Sequence, residues 1–169
     1  MNARTTVTLL ISATLAMASL AACGSSGASS SGGKQEEQQT GIANPFVDCE
    51  SAYEAAQLAG FDVTFPESVP GYTERHYQAV EGQMVQCIYS AGDSKVLIRK
   101  GLGYDDISGD YNEYPNVNTA EVRGIEVIEK GDDKGVHVAT WTLDGYTFAI
   151  DADDGLDASV IEDLVTSLM

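Results

Sequence analysis

Val136-His137-Val138-Ala139-Thr140-Trp141-Thr142-Leu143-Asp144-Gly145-Tyr146-Thr147-Phe148-Ala149-Ile150 consists of two alternating runs hinged on Asp144-Gly145. Asp-Gly supplies two residues that tolerate positive φ, so it specifies a two-residue type I′ hairpin turn. The register that follows pairs Leu143 with Tyr146, Trp141 with Phe148 and Ala139 with Ile150. All six of these side chains share one face, while Thr140, Thr142 and Thr147 take the other. One face is therefore expected to meet a core and the other to meet water.

Upstream, Val122 to Ile128 reads as a strand joined to Val136–Thr142 through Lys130-Gly131-Asp132-Asp133-Lys134-Gly135, a second hairpin. Glu74–Val80, Met84–Tyr89 and Lys95–Lys100 are further strand-like runs, broken at Glu81-Gly82 and Gly92-Asp93. Pro66 and Pro70 mark a loop or sheet edge. A helix is expected between Asp48 as N-cap and Gly60 as the residue past its end, with Cys49, Ala52, Tyr53, Ala56 and Ala59 on one face. A second helix is expected over Asp157–Met169, striped by Val160, Ile161, Leu164, Val165 and Leu168. The expected class is α+β, a mostly antiparallel sheet of about six or seven strands with an N-terminal and a C-terminal helix, in one domain over residues 44–169.

The 169 residues hold 26 Asp and Glu against 9 Lys and Arg, a formal charge of −17, which excludes the clustered basic surface that nucleic acid requires. Val7–Leu20 is an uncharged apolar run too short for a comfortable membrane span and suited to a secretory signal. Gly24–Gly33 reads GSSGASSSGG and is followed by Lys34-Gln35-Glu36-Glu37-Gln38-Gln39-Thr40. Neither stretch can offset its ordering entropy by burial, so residues 23–43 are expected to be a flexible tether. About 20 such residues have an r.m.s. span of roughly 25 Å.

Leu20-Ala21-Ala22-Cys23, placed just after the apolar run, resembles the lipobox of bacterial lipoproteins. The resemblance implies cleavage of residues 1–22 as a signal peptide and a diacylglyceryl group on Cys23. Anchoring would then hold the protein at the extracytoplasmic face of the cell membrane, since about two acyl chains suffice for stable attachment. The alternative for the same residues is an ordinary secretory signal cleaved near Ala22. From Cys23 onward the chain keeps all 26 acids and 8 of its 9 basic residues, a net charge of −18. Such a domain is repelled by an anionic bilayer, which leaves the acyl group as its membrane contact.

Cys49 and Cys87 then remain as an even pair in an oxidising compartment. They are expected either to form a disulfide, which could stabilise the fold by about 3–4 kcal/mol, or to be two buried free thiols.

A second resemblance is carried by Asn44-Pro45-Phe46-Val47-Asp48-Cys49, Ser68-Val69-Pro70-Gly71-Tyr72, Ile98-Arg99-Lys100, Asp106-Ile107-Ser108-Gly109-Asp110-Tyr111-Asn112 and Val138-Ala139-Thr140-Trp141. These runs resemble an uncharacterised family of small bacterial lipoproteins. The C-terminal half, with its Trp-x-x-Asp-Gly-Tyr hairpin and final helix, also resembles a domain of unknown function appended to some anti-sigma-like membrane proteins. Neither resemblance implies an activity.

The segment Gly101–Pro115 is the candidate working surface. It places Tyr104, Asp105, Asp106, Asp110, Tyr111, Asn112 and Glu113, with Tyr114, in one long connection. Tyrosine offers a flat apolar ring with a polar tip, which suits a protein, peptide or glycan ligand; the alternative is a surface loop whose Asp and Asn residues cap local turns. Asp151, Asp153, Gly155, Asp157, Ser159 and Glu162 have calcium-loop spacing, but Leu156 stands where that loop needs glycine, and the acids equally suit a helix N-terminus.

His76 and His137 lie outside any HExxH, GxSxG or Cys-His-Asn context and are assigned structural or surface roles. No catalytic residue, metal ligand or cofactor is assigned. The expectation is a non-enzymatic, membrane-anchored binding or sensory module. The alternatives are a calcium- or metal-responsive envelope module and, less favoured, a carboxylate-dependent envelope hydrolase.

Overall fold

The computed structural model describes residues 44–169, so the signal peptide, Cys23 and the tether expected over 23–43 lie outside the described residues. The elements run β1 (Val47–Cys49), α1 (Ala52–Ala59), β2 (Glu74–Val80), β3 (Met84–Ala91), β4 (Ser94–Leu102), β5 (Asn116–Val122), β6 (Ile125–Asp132), β7 (Gly135–Leu143), β8 (Tyr146–Leu156) and α2 (Ala158–Ser167). All eight strands join one antiparallel sheet in the order β1-β2-β3-β4-β8-β7-β6-β5. Two meanders, β1–β4 and β5–β8, thus meet at the central pair β4/β8. The expected antiparallel sheet with two helices is present, with eight strands rather than six or seven.

The Asp144-Gly145 hairpin has the expected register, with Leu143 opposite Tyr146, Trp141 opposite Phe148 and Ala139 opposite Ile150. Asp144 and Gly145 take φ of 52° and 83°, as a type I′ turn demands. The expected hairpin joining Val122–Ile128 to Val136–Thr142 is present as β6 and β7, but β6 begins only at Ile125, after a further tight turn. Arg123 (φ 51°) and Gly124 (φ 85°) turn the chain between β5 and β6. A bulky arginine at positive φ is an uncommon first turn residue, which is why the pattern Val-Arg-Gly-Ile reads as continuous strand.

The first helix begins later than expected. Asp48 and Cys49 belong to β1, and Ser51 is the N-cap, its Oγ accepting the Glu54 N–H at 3.2 Å. The Glu54 carboxylate in turn accepts the Glu50 N–H at 2.7 Å, and Gly60 ends the helix at φ 81°. Helix α1 buries Ala55, Ala56 and Ala59, while Tyr53 of the expected face is exposed. Helix α2 buries Ile161, Leu164 and Val165 as its stripe predicts.

Both helices cover the same face of the sheet. Val85, Cys87, Tyr89, Val96, Ile98, Ala139, Trp141, Phe148 and Ile150 form the core with Ala55, Ala59 and the α2 stripe. At the β6–β7 turn the register shifts between Lys130 and Gly131, and a Cβ on Gly131 would run into the Gly135 carbonyl oxygen. Only glycine permits that approach.

The disulfide considered for Cys49 and Cys87 is absent; both thiols are free and buried. Tyr77 pairs with Cys49 on one side and with Cys87 on the other, so a whole strand separates the two cysteines. Two strand spacings amount to about 10 Å, beyond the roughly 7 Å over which a bridge can close. Burial pushes the Cys87 thiol up to about 11, as an inert core cysteine requires.

Trp141 stacks on Phe148 with ring centroids 5.1 Å apart and planes 4° from parallel. Its buried Nε1–H has no acceptor among the described residues. An unmade buried hydrogen bond costs about 1–3 kcal/mol, so Trp141→Phe should keep the stack, lose that penalty and leave stability within about 1 kcal/mol of wild type. Trp141→Ala should cost about 3–5 kcal/mol by emptying the same space. Urea unfolding of the two variants checks the contrast.

Candidate functional site

Sheet topology explains why the connection after β4 is long. Strand β4 lies at the sheet centre and β5 at its far edge, with β8, β7 and β6 between them. The chain must cross four strand spacings, roughly 19 Å. It does so on the face opposite the helices, and that face is therefore not simply wet as the hairpin alternation implied. Thr147, on the expected solvent side, is 3% exposed, and Gln86, Val138 and Ala149 are buried there as well.

Arg99 fixes the crossing. Its Nη1 donates to the Ile107 carbonyl at 2.9 Å and also to the Ser108 carbonyl, and its Nε donates to Gln86 Oε1 at 2.8 Å. Gly109 (φ 71°) follows because a Cβ there would lie 2.7 Å from Arg99 Nη1. The hydrogen bonds continue across the sheet: Gln86 Nε2 donates to Gln78 Oε1 at 2.5 Å, and Gln78 Nε2 donates to Asp48 Oδ1 at 2.6 Å. His76 Nε2 lies 2.9 Å from the same carboxylate oxygen. Asp48, Gln78, Gln86 and Arg99 are direct cross-strand partners on β1 to β4, so their side chains form one row. The hydrogen bonds from Gln78 and His76 hold the Asp48 carboxyl below its ordinary range.

The crossing segment divides the expected binding residues into two groups. Tyr104, Asp105 and Asp106 wall an open groove of about 760 Å³ against Thr119, Ile128, Thr140, Thr142 and Thr147. Tyr104 is 75% exposed. Asp106 accepts the Ser108 N–H at 2.8 Å and lies 3.4 Å from Lys130 Nζ. Burial raises its carboxyl, but the Ser108 hydrogen bonds and Lys130 outweigh burial and leave it below the ordinary value.

Asp110, Tyr111 and Asn112 lie instead at a second cavity of about 430 Å³, with Tyr114, His137, Asp151 and Asp153. Asp110 accepts the Asn112 N–H at 2.6 Å and the Tyr114 hydroxyl at 2.5 Å. Tyr111 is 96% exposed, and the exposed Glu113 lines neither cavity. Asp106 and Asp110 thus do the turn-capping work that the sequence already offered as an alternative.

His137 is structural. Its Nδ1 lies 2.9 Å from the Ala152 carbonyl and its Nε2 3.1 Å from Asp132, and it stacks on Tyr114 with centroids 5.1 Å apart. The calcium-like spacing from Asp151 to Glu162 runs along β8 and into α2. Asp151 and Asp153 share one face of the strand, but Ser159 and Glu162 belong to the helix beyond it, so the spacing is drawn out along two elements and is not wrapped into a single loop. Among the described residues no three His, Cys, Asp or Glu side chains are grouped to hold a metal ion, and no helix there is long and apolar enough to cross a membrane.

The cross-strand row and the groove were missed from sequence, although the alternation in Tyr77-Gln78-Ala79, Val85-Gln86-Cys87 and Ile98-Arg99-Lys100 already sets Gln78, Gln86 and Arg99 opposite the core residues. In comparisons with known proteins, no family model, no curated protein and no solved structure matches this chain.

Two predictions follow from the site's charges. Arg99→Met should strand the Gln86, Ile107 and Ser108 oxygens and cost about 2–4 kcal/mol. Amide exchange over residues 103–114 should rise selectively, and Arg99→Lys should not restore protection because it lacks the planar fork.

Asp151 is pushed up to about 6, chiefly by burial and then by Asp110, against the pull of Arg99. A carboxyl whose folded value is raised stabilises the fold relative to its ionised form at low pH, and that contribution disappears as pH rises through about 6. The full displacement is worth up to about 3 kcal/mol, which partial solvent screening reduces to about 1–2 kcal/mol. Asp151→Asn should therefore stabilise the protein by that amount at pH 7.5 and leave it unchanged at pH 4, as read by denaturant unfolding at both values.

Proposed function

We propose that this chain is a lipid-anchored, extracytoplasmic, non-enzymatic binding module whose ligand occupies the groove between Tyr104–Asp106 and the threonine-lined face of β7 and β8. The observation that carries the reading is the crossing segment itself. A half-buried guanidinium ties its middle to the sheet, and its first part stands as the wall of an open groove. An exposed tyrosine ring held at the edge of a groove lined by hydroxyls can stack on a ligand and orient it by hydrogen bonds. A peptide or a glycan satisfies that chemistry. Anchoring rests on Leu20-Ala21-Ala22-Cys23 and on a strongly acidic chain with little attraction for an anionic bilayer.

A carboxylate-dependent hydrolase is less supported, because Asp106 and Asp110 are engaged in the turns that shape the segment. A calcium module is less supported because the acidic oxygens of Asp151–Glu162 lie along a strand and a helix.

The full-length protein expressed in a bacterial host should partition with membranes after a high-salt wash, and Cys23→Ala should move it to the soluble fraction. A thermal-shift screen against wall glycans and short peptides should yield a ligand, and Tyr104→Ala should weaken it about tenfold while leaving the unliganded melting temperature unchanged. A Cys23→Ala protein that stays membrane-bound would refute the anchor. A ligand indifferent to Tyr104 would refute the groove.

A further inference from the structure

The groove contains a break in the sheet. Strand β6 stays paired with β5 as far as Val122↔Ile125, and β7 stays paired with β8 as far as Leu143↔Tyr146. The ladder between β6 and β7, however, ends at Ile128↔Thr140. The next positions, Ile125–Val127 on one strand and Trp141–Leu143 on the other, have no partner across the seam among the described residues, and the groove opens between them.

The two tight hairpins determine which backbone groups face the gap. Across a two-residue turn the flanking pair exchanges both hydrogen bonds, so Val122/Ile125 and Leu143/Tyr146 are hydrogen-bonded pairs. The peptide groups of the neighbouring residues then point the other way. The N–H and C=O of Glu126 point away from β5, and those of Thr142 point away from β8, each towards the seam. Extending the β6–β7 register would make Glu126 and Thr142 a hydrogen-bonded pair, and the sheet does not form it. Two donors and two acceptors with strand geometry therefore line one groove, a pattern that matches the backbone of an extended peptide. The rim is acidic: Asp105, Asp106, Glu126 and Asp144 line it against the single base Lys130, which is itself tied to Asp106.

Resting on the reading of this groove as a binding site, we propose that its ligand is a short extended peptide segment rich in Lys or Arg, which adds its backbone to the seam-facing peptide groups of Thr142 and Glu126. Backbone pairing supplies the fit, the acidic rim selects the charge, and alternate side chains of the segment reach Tyr104 on one side. The attraction weakens with added salt because the rim is open to solvent.

Calorimetry on the full-length protein tests this with a blocked hexapeptide alternating lysine and valine. The controls are its glutamate–valine counterpart, a version N-methylated at alternate residues, and a soluble wall-glycan oligosaccharide. The lysine peptide should bind at least tenfold more tightly than the glutamate peptide, and N-methylation of the donor face should abolish binding. Glu126→Lys, an exposed substitution, should weaken the lysine peptide at least tenfold, and Thr142→Pro should do the same by deleting one seam-facing N–H that β8 does not use.

Equal binding of the lysine and glutamate peptides would overturn the selection of a basic segment by the acidic rim, and full binding of the N-methylated peptide would overturn strand addition. Binding of the oligosaccharide alone, lost in Tyr104→Ala, would overturn the peptide inference while sustaining the groove as a site. Failure of every probe at millimolar concentration would overturn both.

Discussion

The half-buried guanidinium of Arg99 is the constraint on which the rest of the back face depends. The part of a cation that is shielded from water needs acceptors, and no carboxylate lies within ion-pair distance of this one among the described residues. Its acceptors are Gln86 on the neighbouring strand and two backbone carbonyls of the crossing segment. The water-shielded side of the guanidinium is thus satisfied by the segment lying against the sheet at Ile107–Ser108. Burial lowers the Arg99 value, and the nearby Asp151 and Asp106 partly offset that effect. An intrinsic value far above neutrality keeps the group charged throughout. The segment is thus held by hydrogen bonds to a half-buried charge, with little apolar burial of its own.

That attachment matters because of the connectivity. Two meanders share one sheet, and the strand that ends the first lies at the centre while the strand that begins the second lies at the edge. Any crossing between them must pass over β8, β7 and β6. The helices occupy one face, so the crossing takes the other and leaves a cavity on each of its sides. The ladder between β6 and β7 ends at Ile128↔Thr140, which leaves the open seam beside Tyr104. Site and fold therefore share one cause. The chain order forces a long crossing, and the first part of that crossing walls the groove at the open seam.

Local chemistry made much of this legible. Asp144-Gly145 specified its hairpin to the residue, because alternation and turn preference agree there. The α2 stripe was equally plain, since Ile161, Leu164 and Val165 recur at helical spacing. Features that depend on an exception to local preference were not legible. Arg123 adopts a left-handed turn conformation that arginine rarely favours, so the turn is hidden, β5 goes unread and β6 is placed from Val122. Asp48 and Ser51 both suit an N-cap, and only the pairing of Val47–Cys49 with β2 decides for Ser51. The cysteine pair shows the same limit from the other side. Their parity invites a bridge, but parity carries no distance, and the strand holding Tyr77 lies between them. The residues Tyr104–Glu113 were found as a group because a long connection is visible in any sequence. Their division between two cavities depends on Arg99 gripping the middle, a contact between positions whose spacing announces nothing.

The back face itself changes character across the sheet. From β1 to β4 its central row is Asp48, Gln78, Gln86 and Arg99, each hydrogen-bonded to the next. The same row continues through Ala149, Thr140, Ile128 and Thr119 on β8 to β5, where no such chain of hydrogen bonds is found among the described residues. A polar row saturated by its own members offers little to a ligand, because any new contact must first break an existing one. The second half has small hydroxyls, an exposed isoleucine and unpaired strand edges, and a ligand can meet these without displacing a protein partner. The boundary between the two halves is Arg99, and the chain crosses the sheet there. The crossing segment therefore completes the saturated half on one side and walls the unsaturated half on the other, so a groove beside Tyr104 is where this face retains capacity for binding.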